Sequence, residues 1–196
     1  MKVKEKVTGV ILAGGMARRM GHQDKGLVLF KSQPLVSYAI AAMQPLVDEL
    51  FINANRTIAR YQALGFPVIS DQSDTFDGPL AGLLAAMRHS PTEVLLVMPC
   101  DSPFMQSDQL QRLLDSRSQQ DAAVAVAVEA GRWHPVFLAI KTSLCEDLQA
   151  YLADGGRKME AWLARHNPVL VEFGDQPELF FNINTLPELT ALENQA

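Results

Sequence analysis

Short apolar runs alternate with amphipathic stretches along the whole chain, and turn residues separate them. That alternation is the pattern of a mostly parallel sheet covered by helices. Val7 to Ala13 reads as the first strand, and Pro34 to Met43 as a helix opened by a proline whose fixed φ suits a first turn. Leu50 to Asn53, Ile58 to Leu64 and Pro67 to Ser70 continue as strand, helix and strand. A Gly78-Pro79 turn leads into a helix through Ala81, Leu84, Ala85 and Arg88. Val94 to Met98 contains no polar residue and is the best candidate for a buried strand; it exits through Pro99, Cys100 and Asp101. Ser107 is positioned to cap a helix carrying Leu110, Leu113 and Leu114. Ala122 to Val128 and Trp133 to Ile140 follow as strands, the second expected to be antiparallel. Helices over Leu144 to Leu152 and Met159 to Arg165 flank Gly155-Gly156. Val169 to Phe173 is a further strand, and Pro187 to Leu192 a last helix. Right-handed crossovers assemble these elements into a three-layer α/β/α, Rossmann-like fold with a mostly parallel sheet. Ligands in such a fold bind outside the carboxyl ends of the strands.

Composition narrows the function. The 196 residues are 48% hydrophobic and 20% charged, with a mean hydropathy of +0.03, as in an ordinary globular protein. One domain spanning residues 1–196 suffices, and a chain of this length buries roughly 70% of its unfolded surface. The net charge of −5 argues against nucleic acid as a partner, because that surface must be basic to displace counterions. No apolar run approaches the length of a membrane span. The stretch after Lys2, Lys4 and Lys6 is too short for a cleavable signal. Cys100 and Cys145 lie far apart without metal-ligand spacing, so two reduced cysteines in a cytoplasmic protein are expected. His22, His89 and His166 likewise lack ligand spacing and are expected to be solvated.

The charge is unevenly spread. Residues 1–31 hold seven Lys or Arg against two acids, and the remainder holds ten against twenty. Part of that basic excess surrounds the segment Leu12-Ala13-Gly14-Gly15-Met16-Ala17-Arg18-Arg19-Met20-Gly21, followed by Asp24-Lys25-Gly26, directly after the first strand. Glycines let backbone N–H groups approach an anion, and Arg or Lys adds countercharge. No Gly-Lys-Ser/Thr follows at P-loop spacing, and Gly14-Gly15 leaves no G-x-G, which removes the main support for ATPase and dinucleotide-dehydrogenase readings. A plain strand-to-helix turn with surface arginines is the bland alternative to an anion-binding loop.

The run LAGGMARRMGHQDKGL resembles the signature of molybdenum cofactor guanylyltransferases, within the wider nucleotidyltransferase fold. The resemblance continues through Asn53-Ala54-Asn55-Arg56, the Asp71 region, Gly78-Pro79-Leu80-Ala81-Gly82, Pro99-Cys100-Asp101, His134-Pro135 and Asn182-Ile183-Asn184-Thr185. It implies GMP transfer from GTP to the terminal phosphate of molybdenum-molybdopterin, with release of pyrophosphate. It also implies transient contacts with other cofactor-synthesis proteins and with recipient molybdoenzymes. The N-terminal half is expected to bind GTP and the C-terminal half the acceptor.

Candidate residues follow. Asp101 sits at the end of the most apolar strand, and Mg²⁺ needs only one or two carboxylates beside phosphates and waters. The resemblance makes Asp101 the Mg²⁺ ligand and a nucleotide contact; a cap of the Ser102-Pro103 turn is the lesser alternative. Gly14, Gly15, Arg19 and Lys25 are expected to hold the phosphates, Arg19, Lys25 and Asp101 being the catalytic set. The resemblance implies that Leu12, Ala13, Gly14, Asn53 and Asp71 surround the base and ribose, and Gly78 and Gly82 would allow close backbone approach. Asn53 and Asp71 can also be read as loop caps, and the two glycines as a turn. Asn182 and Asn184 flank Ile183, so an extended segment points both amides one way, toward a many-donor ligand such as a pterin. An Asx turn is the alternative for either. His134 joins them on the acceptor side by resemblance.

The chain departs from the family pattern in three places. Ser32-Gln33-Pro34-Leu35 lacks a cation common there, His22 replaces a small residue, and Leu186 separates Thr185 from Pro187. No Ser-His-Asp or Cys-His arrangement supplies a protein nucleophile. A cytidylyl- or sugar-nucleotidyltransferase on the same fold, and a non-catalytic cofactor carrier, are the rivals. A metal-ligand carboxylate together with Lys25 and Arg19 favours the enzyme.

Overall fold

Why the strands and helices of the described residues lie where they do follows from which faces they bury. In the computed structural model, which describes residues 5–14, 24–72, 78–174 and 176–193, the chain opens with β1 (Val7–Leu12). A two-residue hairpin, β2 (Leu29–Phe30) and β3 (Gln33–Pro34), precedes α1 (Leu35–Met43). Then come β4 (Glu49–Asn53), α2 (Ile58–Gln62), β5 (Val68–Ile69), α3 (Pro79–His89) and β6 (Val94–Pro99). The second half contains α4 (Ser107–Gln119), β7 (Val124–Glu129), β8 (Arg132–Lys141), α5 (Cys145–Ala153), α6 (Met159–Leu163), β9 (Val169–Glu172) and α7 (Leu186–Glu193). Gly15 and Arg19 lie outside the described residues, as does His22.

Seven strands form one sheet in the order β5-β4-β1-β6-β8-β7-β9. All run parallel except β8, which pairs antiparallel with both β6 and β7. The strand period of two sorts the core onto two faces. Val7 and Ile11 of β1, Leu50 and Ile52 of β4, and Leu96 and Met98 of β6 pack with Val36, Ala39 and Met43 of α1 and Leu110 and Leu113 of α4. The intervening Val10, Phe51, Leu95 and Val97 pack with Leu80 and Leu83 of α3, Leu148 of α5 and Trp162 of α6. Helices therefore cover both faces, giving the α/β/α layers that the alternating pattern predicts.

Chain order reverses between β1 and β6. The connections from β1 step outward to β4 and β5, and the next strand, β6, returns to the opposite side of β1. The crevice at this reversal is where open α/β sheets bind ligands. A smaller core of Val28, Phe30, Leu35, Ile183 and Leu189 joins the β2–β3 hairpin to the C-terminal segment. The Glu188 carboxylate accepts from the Asn184 and Thr185 N–H groups, while the Glu188 N–H donates to Thr185 Oγ1. That reciprocal cap starts α7 directly after Thr185 and accommodates the inserted Leu186.

Two local expectations are corrected, those for Ser107 and His166, and a hairpin is present that the pattern did not predict. Ser107 does not cap α4; Gln106 is the N-cap residue, and Ser107 Oγ donates to the Ala42 carbonyl at 2.8 Å, tying α4 to α1. The β2–β3 hairpin carries no Asn-Gly signal, because Lys31 and Ser32 take the positive φ values of 46° and 65° themselves. His166 is half-buried against the Trp162 ring and bonded to Asp147 at 3.0 Å, whereas His89 is exposed. Trp162 is fully buried and donates Nε1–H to Asp147 Oδ1 at 2.7 Å. Trp162→Ala is expected to lose about 3–5 kcal/mol of stability, measured as a fall in the urea unfolding midpoint at unchanged slope.

Candidate active site

Three strand ends stand level at the crevice. Leu12 is in register with Asn53 on one side and Pro99 on the other. The ladder continues past the strands: the Ala13 N–H donates to the Asn53 carbonyl at 2.8 Å, and the Cys100 N–H to the Leu12 carbonyl at 3.1 Å. Gly14, Asn55 and Asp101 thus emerge together, one step beyond the sheet. The flanking strand adds Asp71, because the Ala54 N–H donates to the Ile69 carbonyl at 2.9 Å.

On the β6 side, the Lys25 ammonium donates to Asp101 Oδ2 and, at 2.6 Å, to Asn184 Oδ1. The two charged side chains are 18% and 11% exposed. A pair so far withdrawn from water depends on both partners, and removing one from a buried pair costs about 3–5 kcal/mol. Asp101 Oδ1 is buried and lacks a hydrogen-bond partner. A carboxylate oxygen shielded from water at the edge of a ligand crevice is a fit position for a hard divalent cation. Among the described residues, no three His, Cys, Asp or Glu side chains gather as a metal cluster. Asp101 therefore suits an ion that takes most of its ligands from substrate and water.

Lys25 is held from below. Asp24 Oδ1 accepts from the Tyr61 hydroxyl at 2.7 Å, and Tyr61 is fully buried. Burial pushes the Tyr61 phenol up, with Cys100 and Asp24 adding to the shift, so it remains a donor at neutral pH. A Cβ on Gly26 would stand 2.6 Å from that hydroxyl and 3.2 Å from Cys100 Sγ. Only glycine lets the Lys25 turn close this tightly onto β6. Burial also raises the Cys100 thiol, Asp101 adds to this, and Lys25 opposes it.

On the β4 side, Asn53 Nδ2 donates to Asp71 Oδ1 at 2.8 Å, and Asn55 Nδ2 to Asp71 Oδ2 at 2.7 Å. The Asp71 N–H returns a bond to Asn55 Oδ1 at 2.8 Å. Gly82 faces this group, and a Cβ there would overlap Asn53 Oδ1 and stand 3.0 Å from Leu12 Cδ2. Gly78 precedes α3 with φ at +66°, a conformation that favours glycine and lets Pro79 begin the helix.

The C-terminal segment closes the β6 side. The Ile183 N–H donates to the Asp101 carbonyl at 3.1 Å. Ser102 Oγ donates to Asn182 Oδ1 at 2.5 Å, and Asn184 Nδ2 to the Asn182 carbonyl at 3.0 Å. The Asn182 amide thus meets Ser102, whereas the Asn184 amide meets Lys25. His134 lies at the same end of the sheet, its ring stacked on Phe180 at 3.9 Å. Burial lowers its pKa, with Glu129 pulling the other way, so it offers a neutral ring rather than a cation.

The structure therefore brings together Leu12, Ala13, Gly14, Lys25, Asn53, Asp71, Gly82, Asp101, Asn182 and Asn184; Gly78 lies one helical turn before Gly82 with open space around it, and His134 stacks on Phe180 at the same end of the sheet. Sequence reasoning missed Asn55, Tyr61 and Ser102 as site residues. Asn55 carried a signal, since it lies two positions after Asn53 in an extended run, the same spacing that drew attention to Asn182 and Asn184. Tyr61 and Ser102 carried none.

A family model described as the MobA-like NTP transferase domain matches residues 9–169. A molybdenum cofactor guanylyltransferase of Shewanella halifaxensis is 48% identical over 180 residues, covering 92% of this chain and 90% of that one. One from Shewanella putrefaciens is 46% identical over 182 residues, 93% of each chain. Among solved structures, molybdopterin-guanine dinucleotide biosynthesis protein A from Archaeoglobus fulgidus superposes with a TM-score of 0.79 at 23% identity, covering 96% of this chain and 97% of that one. A CMP:2-keto-3-deoxy-manno-octonic acid synthetase complexed with CTP superposes with a TM-score of 0.76 at 12% identity, covering 98% of each. At these identities the structural likeness concerns the fold alone, and the fold does not choose a base.

Two outcomes test this geometry. Gly82→Ala is expected to destabilise by about 1–3 kcal/mol through overpacking against Asn53, read from chemical unfolding. At pH 8 a thiol reagent is expected to label half-buried Cys145 in the folded protein and to reach Cys100 only on unfolding, as counted by thiol titration with and without denaturant.

Proposed function

The chain belongs to the MobA-like NTP transferase family, and on that premise we propose that it transfers GMP from GTP to the terminal phosphate of molybdenum-molybdopterin. The products are the molybdopterin guanine dinucleotide cofactor and pyrophosphate. The observation that carries this reading is the meeting of Lys25 and Asp101 at the β1/β6 crevice beside the paired acceptor oxygens of Asp71. One side of the crevice suits phosphates, and the other suits a base that offers two adjacent donors.

Guanine offers such an edge, its N1–H and 2-amino group, to the acceptor-only Asp71 carboxylate. Cytosine presents one donor beside acceptors and fills only half of it. This favours GTP over CTP where the fold is neutral. Leu12, Ala13 and Gly14 bring the backbone under the base and ribose, while Asn53 and Gly82 keep Asp71 in place. The N-terminal half thus binds GTP, and the Asn182–Asn184 segment with His134 lines the acceptor side.

In the reaction an oxygen of the acceptor's terminal phosphate attacks the α-phosphorus of GTP, a new P–O bond forms, and the bond to the β-phosphate breaks. No protein nucleophile is needed. The chain contributes positioning and countercharge. The Lys25 ammonium, with three donors, keeps its Asn184 bond and reaches the β- and γ-phosphates, taking up charge as pyrophosphate leaves. Backbone N–H groups of the loop through Gly14 and Gly15, with Arg19, belong to the same role. Asp101 is the residue that would hold Mg²⁺, whose bound charge offsets that of the reacting phosphate. His134, neutral at pH 7, contributes a flat apolar face at the acceptor side.

The product passes to recipient molybdoenzymes in the cytoplasm, with transient contacts to other cofactor-synthesis proteins. Among the described residues, no helix is long and apolar enough to cross a membrane.

A pyrophosphate-release assay with molybdopterin and either GTP or CTP tests the reading. GTP is expected to support turnover and CTP not; release with neither would leave the carrier reading in its place. Asp101→Ala and Lys25→Ala are each expected to lose about 100-fold or more in kcat. Asn182→Ala is expected to raise KM for molybdopterin more than for GTP. Wild-type-like turnover of Asp101→Ala would remove the metal role from that residue.

A further inference from the structure

The clamp on Asp71 has a member that neither the resemblance nor the relatives assign. Asn55 makes two bonds to Asp71: its Nδ2 donates to Oδ2 at 2.7 Å, and its Oδ1 accepts the Asp71 N–H at 2.8 Å. It therefore fixes both the backbone and the carboxylate of that residue. Asn53 donates to the other oxygen, Oδ1, at 2.8 Å. Each carboxylate oxygen has two acceptor sites, so among the described residues one asparagine on each leaves one site per oxygen open. A pair of open sites in a fixed plane matches two parallel donors, and a freely turning carboxylate would have to be ordered on binding.

The supports of this plane reach through the fold. Ser70 Oγ donates to the Ala54 carbonyl at 2.8 Å, locking the strand that carries Asn55 to the one that carries Asp71. Gly14 approaches from the β1 side, where a Cβ would stand 3.2 Å from Asn55 Nδ2. Asn55 is thus wedged between Gly14 and Asp71, without itself having to touch a ligand.

We propose that Asn55 is a positioning residue for base specificity: it holds the Asp71 carboxylate in the plane that reads the N1–H and 2-amino edge of guanine. This rests on the reading that Asp71 contacts the base. Its effect falls on discrimination between bases rather than on phosphoryl transfer, because Lys25 and Asp101 are held by other contacts.

The test compares GTP with ITP, which lacks the 2-amino group, in pyrophosphate release by wild type, Asn55→Ala and Asp71→Asn. Asn55→Ala is expected to raise KM for GTP about tenfold, the size of one lost bond to a charged group. The kcat is expected to stay within about twofold and KM for ITP to move less than about threefold. The preference for GTP over ITP in kcat/KM then falls, and this ratio is independent of the fraction of protein that folds. Equal changes for both nucleotides, or none, would overturn the role of Asn55, provided Asp71→Asn abolishes the preference. A wild type without preference, or an Asp71→Asn variant that keeps it, would instead overturn the underlying reading of Asp71.

Discussion

The contact on which the site depends is the ion pair between Lys25 and Asp101. It joins a turn that follows β1 to the exit of β6, across the place where chain order in the sheet reverses. Two charges withdrawn from water are tolerated only when geometry fixes them, and three separate parts of the chain do so here. Tyr61 and Gly26 fit the Lys25 turn onto Cys100. The ladder from Leu12 to Cys100 aims Asp101 outward, and Ile183 grips its carbonyl. Asn184 then shares the ammonium. Because Asn184 belongs to the C-terminal segment, that segment and the exit of β6 are coupled through one lysine. The small core of Val28, Phe30, Leu35, Ile183 and Leu189 holds that segment against the hairpin before α1.

Much of the fold was legible because parallel strands buried on both faces must be continuous apolar runs. Val94 to Met98 announces itself, and its parallel neighbour in the sheet, Val7 to Leu12, was readable in the same way. The reversal of chain direction at β8 was expected, and the structure pairs it antiparallel on both edges. What escaped were features too short to show a period. The two-residue strands β2 and β3 carry no alternation, and the turn between them, built from Lys31 and Ser32 in left-handed conformations, has no compositional mark. Ser107 misled for a different reason: a serine before an apolar run fits a cap, but its hydroxyl found the Ala42 carbonyl of a helix far away in sequence.

The site divides along the same line. Residues just beyond strand ends, such as Asn53, Asp71 and Asp101, were foreseeable because topology alone brings strand ends together. Partners that depend on register were not. Nothing local says that Tyr61 meets Asp24 or that Ser102 meets Asn182, since each pair is joined by tertiary packing across 37 and 80 positions. Asn55 stands between these cases. Its spacing from Asn53 was visible, but its target became definite only when the β4–β5 pairing set Asp71 opposite.

The net charge of −5 now has a structural meaning. A site for a nucleoside triphosphate needs a cation where the phosphates lie and, if the base is guanine, an anion where its donors lie. On the proposed reading Lys25 and Asp71 are those two charges, on the β6 and β4 sides of the crevice. A basic surface would hold the triphosphate without choosing a base. A net acidic chain that concentrates positive charge in its first 31 residues can attract phosphate at one end of the crevice and keep a carboxylate at the other. Selectivity then rests on how rigidly that carboxylate is held, since a loose one could turn to meet the single exocyclic amine of cytosine. The two asparagines on Asp71, and the two glycines that make room beside them, convert a common side chain into an oriented pair of acceptors. A fold shared with a CTP-binding enzyme can therefore serve GTP through a few contacts at one strand edge, while the sheet beneath stays the same.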